Sequence, residues 1–384
     1  MRIAVIGPCN PAEFLGEISN VPGEVPRGLV GTPINGLVRA FLDLGHSVHL
    51  ISASPDLRTV WRADGPRLKM SVVPYRTRPR DRALDLFRLE RNLMAQELES
   101  SDAEVVSAHW SYEFGWVGVS SGRPCVLSVH DAPLTILRSL PDPYRLLRTL
   151  MAYRVRFSAA HVTAVSPYLA RNWRKQMLYR PPIEVIPNIT PPLEQPTPIP
   201  HRRNVILDIG DASPRKNMKR LIEGFGVFST KVPNFELRLV GGGLLPDGPL
   251  AQWARSEGLD KNVAFLGNQS RAEIAVHLGQ ASIFCHSAVE ESQPMCLLEA
   301  MSAGVPVIGG AKSGGVPWTL DYGSAGLLVD VTDPNAIGEA LYELHRDEAL
   351  RRRLVLRGKT LVAERHSKQT VANAYLHEFH RAMS

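Results

Sequence analysis

Asp-x-Asp pairs are missing from this chain, and so is any run of eighteen apolar residues. Without the first there is no Asp-x-Asp pair to hold a divalent cation, and no metal site is expected. Without the second no segment reads as a membrane-spanning helix. Cysteine is scarce. The four cysteines, at 9, 125, 285 and 296, form no C-x-x-C pair, and no histidine cluster has zinc spacing. This argues against a zinc site and fits a reducing, cytoplasmic setting. The opening "MRIAVIG" lacks a small-residue cleavage site and reads as a first strand rather than a signal peptide. No G-x-G-x-x-G follows that strand. The later "VGGGLLPDG" lacks the spacing, so no dinucleotide loop is expected. There is no repeat of solenoid period and no low-complexity tail.

What is present is ordinary for a globular chain: 384 residues, 44% hydrophobic and 21% charged. That length suggests two domains. The net charge of +6 is uneven. Residues 1–190 carry 23 Lys and Arg against 17 Asp and Glu, whereas residues 191–384 carry 21 against 21. The surplus is densest over 138–180, where nine basic residues face only Asp142. Such a patch suits phosphates, a membrane surface or nucleic acid.

Short apolar runs recur with helical stretches between them. The first half holds "RIAVIG", "SVHLIS", "LKMSVVPY", "EVVSAHW", "CVLSVHD", "HVTAVS" and "EVIPN"; the second holds "NVILDIG", "FELRLVGGG", "NVAFLG", "SIFCHS", "VPVIGG" and "GLLVD". Near-continuous apolar strands alternating with helices predict parallel sheets covered on both faces. Two such series predict an α/β chain of two doubly wound, Rossmann-like domains, 1–186 and 204–365. The segment 187–203 between them is an extended linker, because eight prolines fall within 181–200 and proline continues neither helix nor ladder. Residues 366–384 form a final amphipathic helix.

One stretch raises a chemical question. In "HSAVEESQPMCLLEAMSAGVPVIGG" a glutamate, Glu299, interrupts an apolar helix, predicted over Pro294–Ala303 with Ser292 as N-cap. A buried carboxylate needs donors. Glu291 stands eight residues earlier in the preceding loop. The helix N-terminus would face the carboxyl end of the sheet, where α/β sheets bind ligands and where free N–H groups suit a phosphate. Glu291 on solvent and Glu299 capping a buried loop is the alternative.

The stretch resembles the Glu-x7-Glu signature of retaining glycosyltransferases of the GT-B fold, glycosyltransferase family 4. Other segments resemble the family in order along nearly the whole chain: "GTPINGLVRAFLDLGHSVHLIS", "LSVHD", "AVSPYL", "VIPN", "SPRKNMKRLIEGF", "LRLVGGG", "VAFLGN" and "GLLVDVTDPNAIGEAL". The resemblance implies two parallel sheets facing across a cleft, with the 366–384 helix returning to the first domain. It implies transfer of a sugar from a nucleotide-diphosphate sugar, UDP- or GDP-linked, to a hydroxyl acceptor, with no cofactor. That acceptor would be a bacterial glycan or glycoconjugate, lipid-linked in many relatives.

By the same resemblance Glu299 binds the ribose hydroxyls, and Glu291 lies against the transferred sugar. Backbone groups of Ser292, Met295, Cys296 and Leu297 approach the sugar and phosphates. Lys216, with Arg215 beside it, neutralises the diphosphate, which leaves as a developing anion. His130 bonds the donor sugar, Gly31 closes over the donor, and Gly267 with Asn268 lines the base pocket through backbone groups. Catalytic candidates are therefore His130, Glu291 and Lys216. Four departures from the family pattern stand out: Asp211 where arginine is common, Val30 for the first loop glycine, Ile189 for a glycine and Trp318 for a glutamate.

Other readings stay open. A non-catalytic sugar-nucleotide-binding relative fits Asp211, and an epimerase or phosphorylase would share the sheets. Nucleic acid is not expected, because no recognition motif accompanies the basic patch. In "RSLPDPYRLLRTLMAYRVRF", Arg138, Arg145, Arg148, Arg154 and Arg156 alternate with apolar residues. A helix of that kind suits peripheral contact with an anionic membrane face.

Overall fold

A computed structural model describes residues 1–29, 31–191 and 203–384. Val30 and the linker residues 192–202 lie outside the described residues. The chain forms two compact units: unit 1 is Met1–Ile189 with Ser367–Ser384, and unit 2 is Thr190–His366.

Unit 1 is built on an eight-stranded sheet. Its strands are β1 (Arg2–Ile6), β2 (Ser47–Ser54), β3 (Trp61–Asp64), β4 (Leu68–Pro74), β5 (Val105–His109), β6 (Cys125–Val129), β7 (His161–Ala164) and β8 (Ile183–Val185), in the order β3-β4-β2-β1-β5-β6-β7-β8. All pair in parallel except β3, which runs antiparallel to β4 at the edge. Sequence reading misses β3. It is four residues long and alternates buried Trp61 and Ala63 with exposed Arg62 and Asp64, so it carries no continuous apolar run. The central strands feed two cores: Ala4 and Ile6 of β1 join one, Ile3 and Val5 the other. On the second face the helix Thr32–Asp43 meets the last helix, Lys368–Met383, through Phe41, Tyr375 and Phe379. Ser128 Oγ and Tyr375 Oη lie 2.7 Å apart beneath them.

The basic stretch departs from the expected single helix. It forms two, Pro133–Ser139 and Pro143–Arg156. Pro141 and Pro143 flank the break, and Asp142 caps the second helix by accepting from the Arg145 N–H. Arg148 is no surface cation. Its guanidinium lies 3.8 Å from the centre of the Tyr112 ring and 3.7 Å from Glu113.

Unit 2 has six parallel strands, β9 (Val205–Ile209), β10 (Glu236–Val240), β11 (Val263–Gly267), β12 (Ile283–His286), β13 (Val307–Gly310) and β14 (Leu327–Val329), ordered β11-β10-β9-β12-β13-β14. Leu207 of β9 packs on one face with Leu297, Leu298 and Met301, and Ile206 on the other with Leu221 and Phe225. The helix carrying Glu299 spans Met295–Ser302, one residue later than expected, and Pro294 rather than Ser292 occupies the N-cap position. Proline suits that half-helical place because its fixed φ is compatible and it has no N–H to satisfy. Pro294 has no side-chain donor or acceptor to cap the helix, and the first-turn N–H groups, from Met295, Cys296 and Leu297, have no acceptor within the helix itself.

Candidate active site

β9 and β12 are neighbours at the middle of the second sheet, and each carries, at or next to its carboxyl end, a residue that breaks its apolar run. β9 contributes Asp208 and β12 contributes His286, both fully buried. After β9 the chain turns through Asp211, whose carboxylate accepts from the Ser213 N–H, into a short helical turn, Pro214–Lys216. Asn217 follows with φ +58 and donates to the Ser287 and Val331 carbonyls. The first bond ties the basic turn to the loop after β12, where Glu291 lies, and the second ties it to the loop after β14.

Glu291 is the centre of the cluster, 7% exposed. Lys216 Nζ donates to its Oε1 at 2.6 Å, and Arg215 Nη1 lies 3.0 Å from its Oε2. Arg215 also donates to the Glu290 carbonyl, and the Glu291 carbonyl accepts from the Gly315 N–H. His286 Nε2 stands 3.4 Å from Oε1, while its Nδ1 faces Asp208 Oδ1 at 3.3 Å. Burial alone would raise the Glu291 pKa, but His286, Lys216 and Arg215 hold it well below the usual carboxylate range. Burial pushes Lys216 and Arg215 down, and Glu291 reverses this in both. The three sequence-chosen residues therefore meet, but their charges are matched to one another. His286 and Asp208 were missed, although a histidine and an aspartate at the ends of apolar strands were the available signal.

Glu299 is 5% exposed, and the sequence reading left its donors to a ligand. The structure supplies one from the protein: Arg271 Nη1 donates to Oε1 at 2.5 Å. Arg271 opens the helix Arg271–Gln280, whose Ser270–Glu273 capping box fixes its start. Burial raises the Glu299 pKa, and Arg271 only partly opposes it. Gly267 ends β11 with φ +64. Its N–H donates to the Leu244 carbonyl and its carbonyl accepts from Gly241. Its backbone N–H is thus engaged within the protein. Asn268, exposed, is the neighbour that presents groups to solvent. The glycine run after β10 closes against β9 instead of forming a dinucleotide loop: a Cβ on Gly241 would fall 1.7 Å from the Gly210 carbonyl oxygen.

The unit 1 candidates lie at the carboxyl ends of β6 and β1. His130 follows β6, its Nε2 3.1 Å from His109 Nδ1 and its ring stacked on Trp110 at 4.1 Å. Burial lowers its pKa to about 3, so it is a neutral imidazole. Trp110 holds φ +64, an unusual backbone for a bulky residue. Gly31 precedes the helix Thr32–Asp43. A Cβ there would sit 1.8 Å from the Pro8 carbonyl oxygen, so the close approach of two backbones requires glycine. Of the departures, Ile189 is buried beside Gly36, and Trp318 lies under Arg365 at 4.7 Å. Among the described residues no group of three or more His, Cys, Asp or Glu is arranged to hold a metal ion.

Two family profiles match the chain. One described as Glycosyl transferases group 1 covers residues 190–361, and one described as Glycosyltransferase Family 4 covers residues 30–192. The N-acetyl-alpha-D-glucosaminyl L-malate synthase of Bacillus anthracis is 23% identical over 93% of this chain and 94% of its own. A GDP-mannose-dependent alpha-(1-6)-phosphatidylinositol monomannoside mannosyltransferase of Mycolicibacterium smegmatis is 33% identical, but over only 38% of this chain and 39% of its own. Among solved structures, a sucrose-phosphate synthase from Thermosynechococcus elongatus superposes with TM-score 0.78 at 19% identity, covering 99% of this chain and 98% of that one. An Anabaena protein crystallised with UDP and glucose gives TM-score 0.70 at 16% identity, over 99% and 100% of the two chains.

Proposed function

The chain belongs to the glycosyltransferases of the GT-B fold, and from that premise we propose that it transfers a sugar with retention from a nucleoside-diphosphate sugar, without a divalent metal. The observation that carries the proposal is buried Glu291, held by Lys216, Arg215 and His286 just before the N-terminus of the Met295–Ser302 helix. A nucleoside diphosphate leaves as an anion. Fixed cations and helix N–H groups stabilise that charge without rearranging as it develops. Phosphate oxygens reaching Lys216 and Arg215 would take over part of their pairing with Glu291. The freed carboxylate then faces the sugar, where positive charge develops as the leaving group departs. Glu299, fixed by Arg271, accepts from ribose hydroxyls.

Relatives named for GDP-mannose and structures solved with UDP make UDP- and GDP-sugars the donors to test. A thermal-shift panel of both series measures binding, because a ligand that prefers the folded state raises the midpoint by mass action. A rise with one series, reduced in Glu299→Gln, supports the proposal. No rise with any nucleotide sugar, and no release of nucleoside diphosphate, would contradict it.

The acceptor is a hydroxyl, in bacterial glycan or glycoconjugate synthesis on the cytoplasmic side. A lipid-linked acceptor is favoured by one observation: Leu146 and Leu150 of the Pro143–Arg156 helix, and Phe157 after it, are 50%, 55% and 73% exposed among Arg145, Arg154 and Arg156. Among the described residues no helix is long and apolar enough to cross a membrane, so the contact would be peripheral. Cosedimentation with anionic but not neutral vesicles at low salt supports it. Failure with both leaves a water-soluble acceptor.

A further inference from the structure

Both ring nitrogens of His286 face a carboxylate oxygen, Nδ1 at 3.3 Å from Asp208 and Nε2 at 3.4 Å from Glu291. A neutral imidazole has one N–H and one lone pair. In either tautomer, one of the two carboxylates would confront the lone pair at a buried position, a repulsive arrangement that water does not screen. Imidazolium offers an N–H to Asp208 and places its positive charge against both carboxylates, Nε2 approaching Glu291 as an ion pair without a hydrogen bond. We propose that His286 is a positioning residue for Glu291: a buried imidazolium, anchored by Asp208, that keeps the Glu291 carboxylate seated while the donor's phosphates draw on Lys216 and Arg215. The proposal rests on the reading of Glu291 as the group that faces the transferred sugar.

The charges in the cluster show why a third cation is needed. Asp208 and Glu291 are opposed by Lys216 and Arg215, and both cations converge on Glu291 rather than on Asp208. A diphosphate that engages Lys216 and Arg215 competes with Glu291 for them. With a neutral His286, Glu291 would then lie beside added negative charge with no cation of its own. Fully buried Asp208 pairs with Nδ1, and its other oxygen accepts from Ser287 Oγ at 3.4 Å. Among the described residues the titratable groups that face the imidazole are Asp208 on β9, Glu291 and, through it, Lys216 and Arg215, and Cys296, whose Sγ lies 3.6 Å from Nδ1. Phe284 stacks at 6.5 Å on the same strand. Burial pushes the imidazole down, while the Cys296 sulfur and the two carboxylates oppose it and hold its pKa well above the ordinary value.

The sign follows. The charge on His286 is complete below its ordinary pKa and is lost as pH rises through the raised folded value, so turnover should carry an alkaline limb. Asp208→Asn keeps the shape and removes the anchoring charge. It should move that limb about one unit or more toward neutral pH. The direct test is nitrogen NMR of the full chain labelled at histidine, at pH 8. One imidazole should still show two protonated nitrogens, and that signal should vanish in His286→Gln. If His286→Gln does not fold, the same signal is identified by its displaced titration in Asp208→Asn. A His286 that titrates at or below its ordinary value overturns the proposal, as does an Asp208→Asn variant with lowered stability but an unmoved pH profile. Native turnover in Glu291→Gln would instead remove the reading of Glu291 on which the proposal stands, so the two failures are distinguishable.

Discussion

Lys216 Nζ lies 2.6 Å from a carboxylate that is itself 7% exposed, so neither charge can be changed without the other responding. Lys216→Ala should lower turnover by about 10²–10³-fold, the usual effect of removing one donor to a developing anion. It should also lower stability by about 2 kcal/mol through the lost charged hydrogen bond. Glu291→Gln combined with Lys216→Ala should lose less stability than the two single changes summed, because each removes the same contact. Denaturant titration of the four proteins checks this, and strict additivity would show that the pair is not coupled. The pH dependence has a definite sign. The folded-state pKa of Glu291 is depressed below its ordinary 4.5, so its stabilising contribution is complete above that value and is lost as pH falls further. His130, lowered to about 3, acts in the same direction. Between pH 6.5 and 3 the unfolded chain takes up a proton that the folded imidazole refuses. Buried His49 and His109 are lowered as well, so melting temperature should fall as pH drops below about 6.5 and fall faster below about 4.5, with the early part reduced in His130→Asn. An unchanged early slope in that variant would place the titration elsewhere.

At the scale of elements, the helix Arg271–Gln280 carries Arg271, the cation seen bonded to Glu299 among the described residues. Ser270→Ala removes half of its capping box and should cost about 1 kcal/mol. Turnover at saturating donor should stay near native, since the helix remains docked through Ala275 and Leu278. Glu299→Gln should do the reverse, weakening nucleotide binding with a small change in stability. Calorimetric titration beside thermal melts separates the two patterns. Equal loss of affinity in both variants would mean that the cap itself holds the site. These elements were unequally legible. β9 and β12 could be read because their apolar runs are nearly unbroken, as strands covered on both faces must be. β3 could not, since an edge strand of four residues that alternates charge with apolar side chains has no such run. The pairing of Arg271 with Glu299 was hidden because the two are 28 positions apart and on different helices. Local spacing reports neighbours three and four residues away on one helix and nothing beyond. Pro294 at the N-cap escaped for another reason: Ser292 offered a residue of the usual capping type two positions earlier, whereas the helix starts after Pro294.

Over the whole molecule, the two sheets followed from alternation of strand and helix, but the cluster around Glu291 did not. It draws Asp208 from β9, Lys216 and Arg215 from the turn after it, His286 from β12 and Cys296 from the helix beyond. Only the order of strands, with β9 beside β12, brings them together. That order is set by crossovers and not by any local pattern. The same cluster leads to an expectation about metals. If Lys216, Arg215 and the helix N–H groups neutralise the leaving diphosphate, transfer should survive a chelator at undiminished rate. Loss with chelator, restored by magnesium or manganese, would show that the protein's own cations are insufficient. The central claim is that this neutralisation drives departure of a nucleoside diphosphate from a sugar, and one measurement meets it directly. Phosphorus NMR follows release of UDP or GDP from the corresponding sugar donors with the native chain, Lys216→Ala and Glu291→Gln at equal concentrations. The account predicts steady release by the native chain and release slower by about 10²-fold or more in both variants. Release at the native rate in both variants, or none from any donor with the native chain, would contradict it.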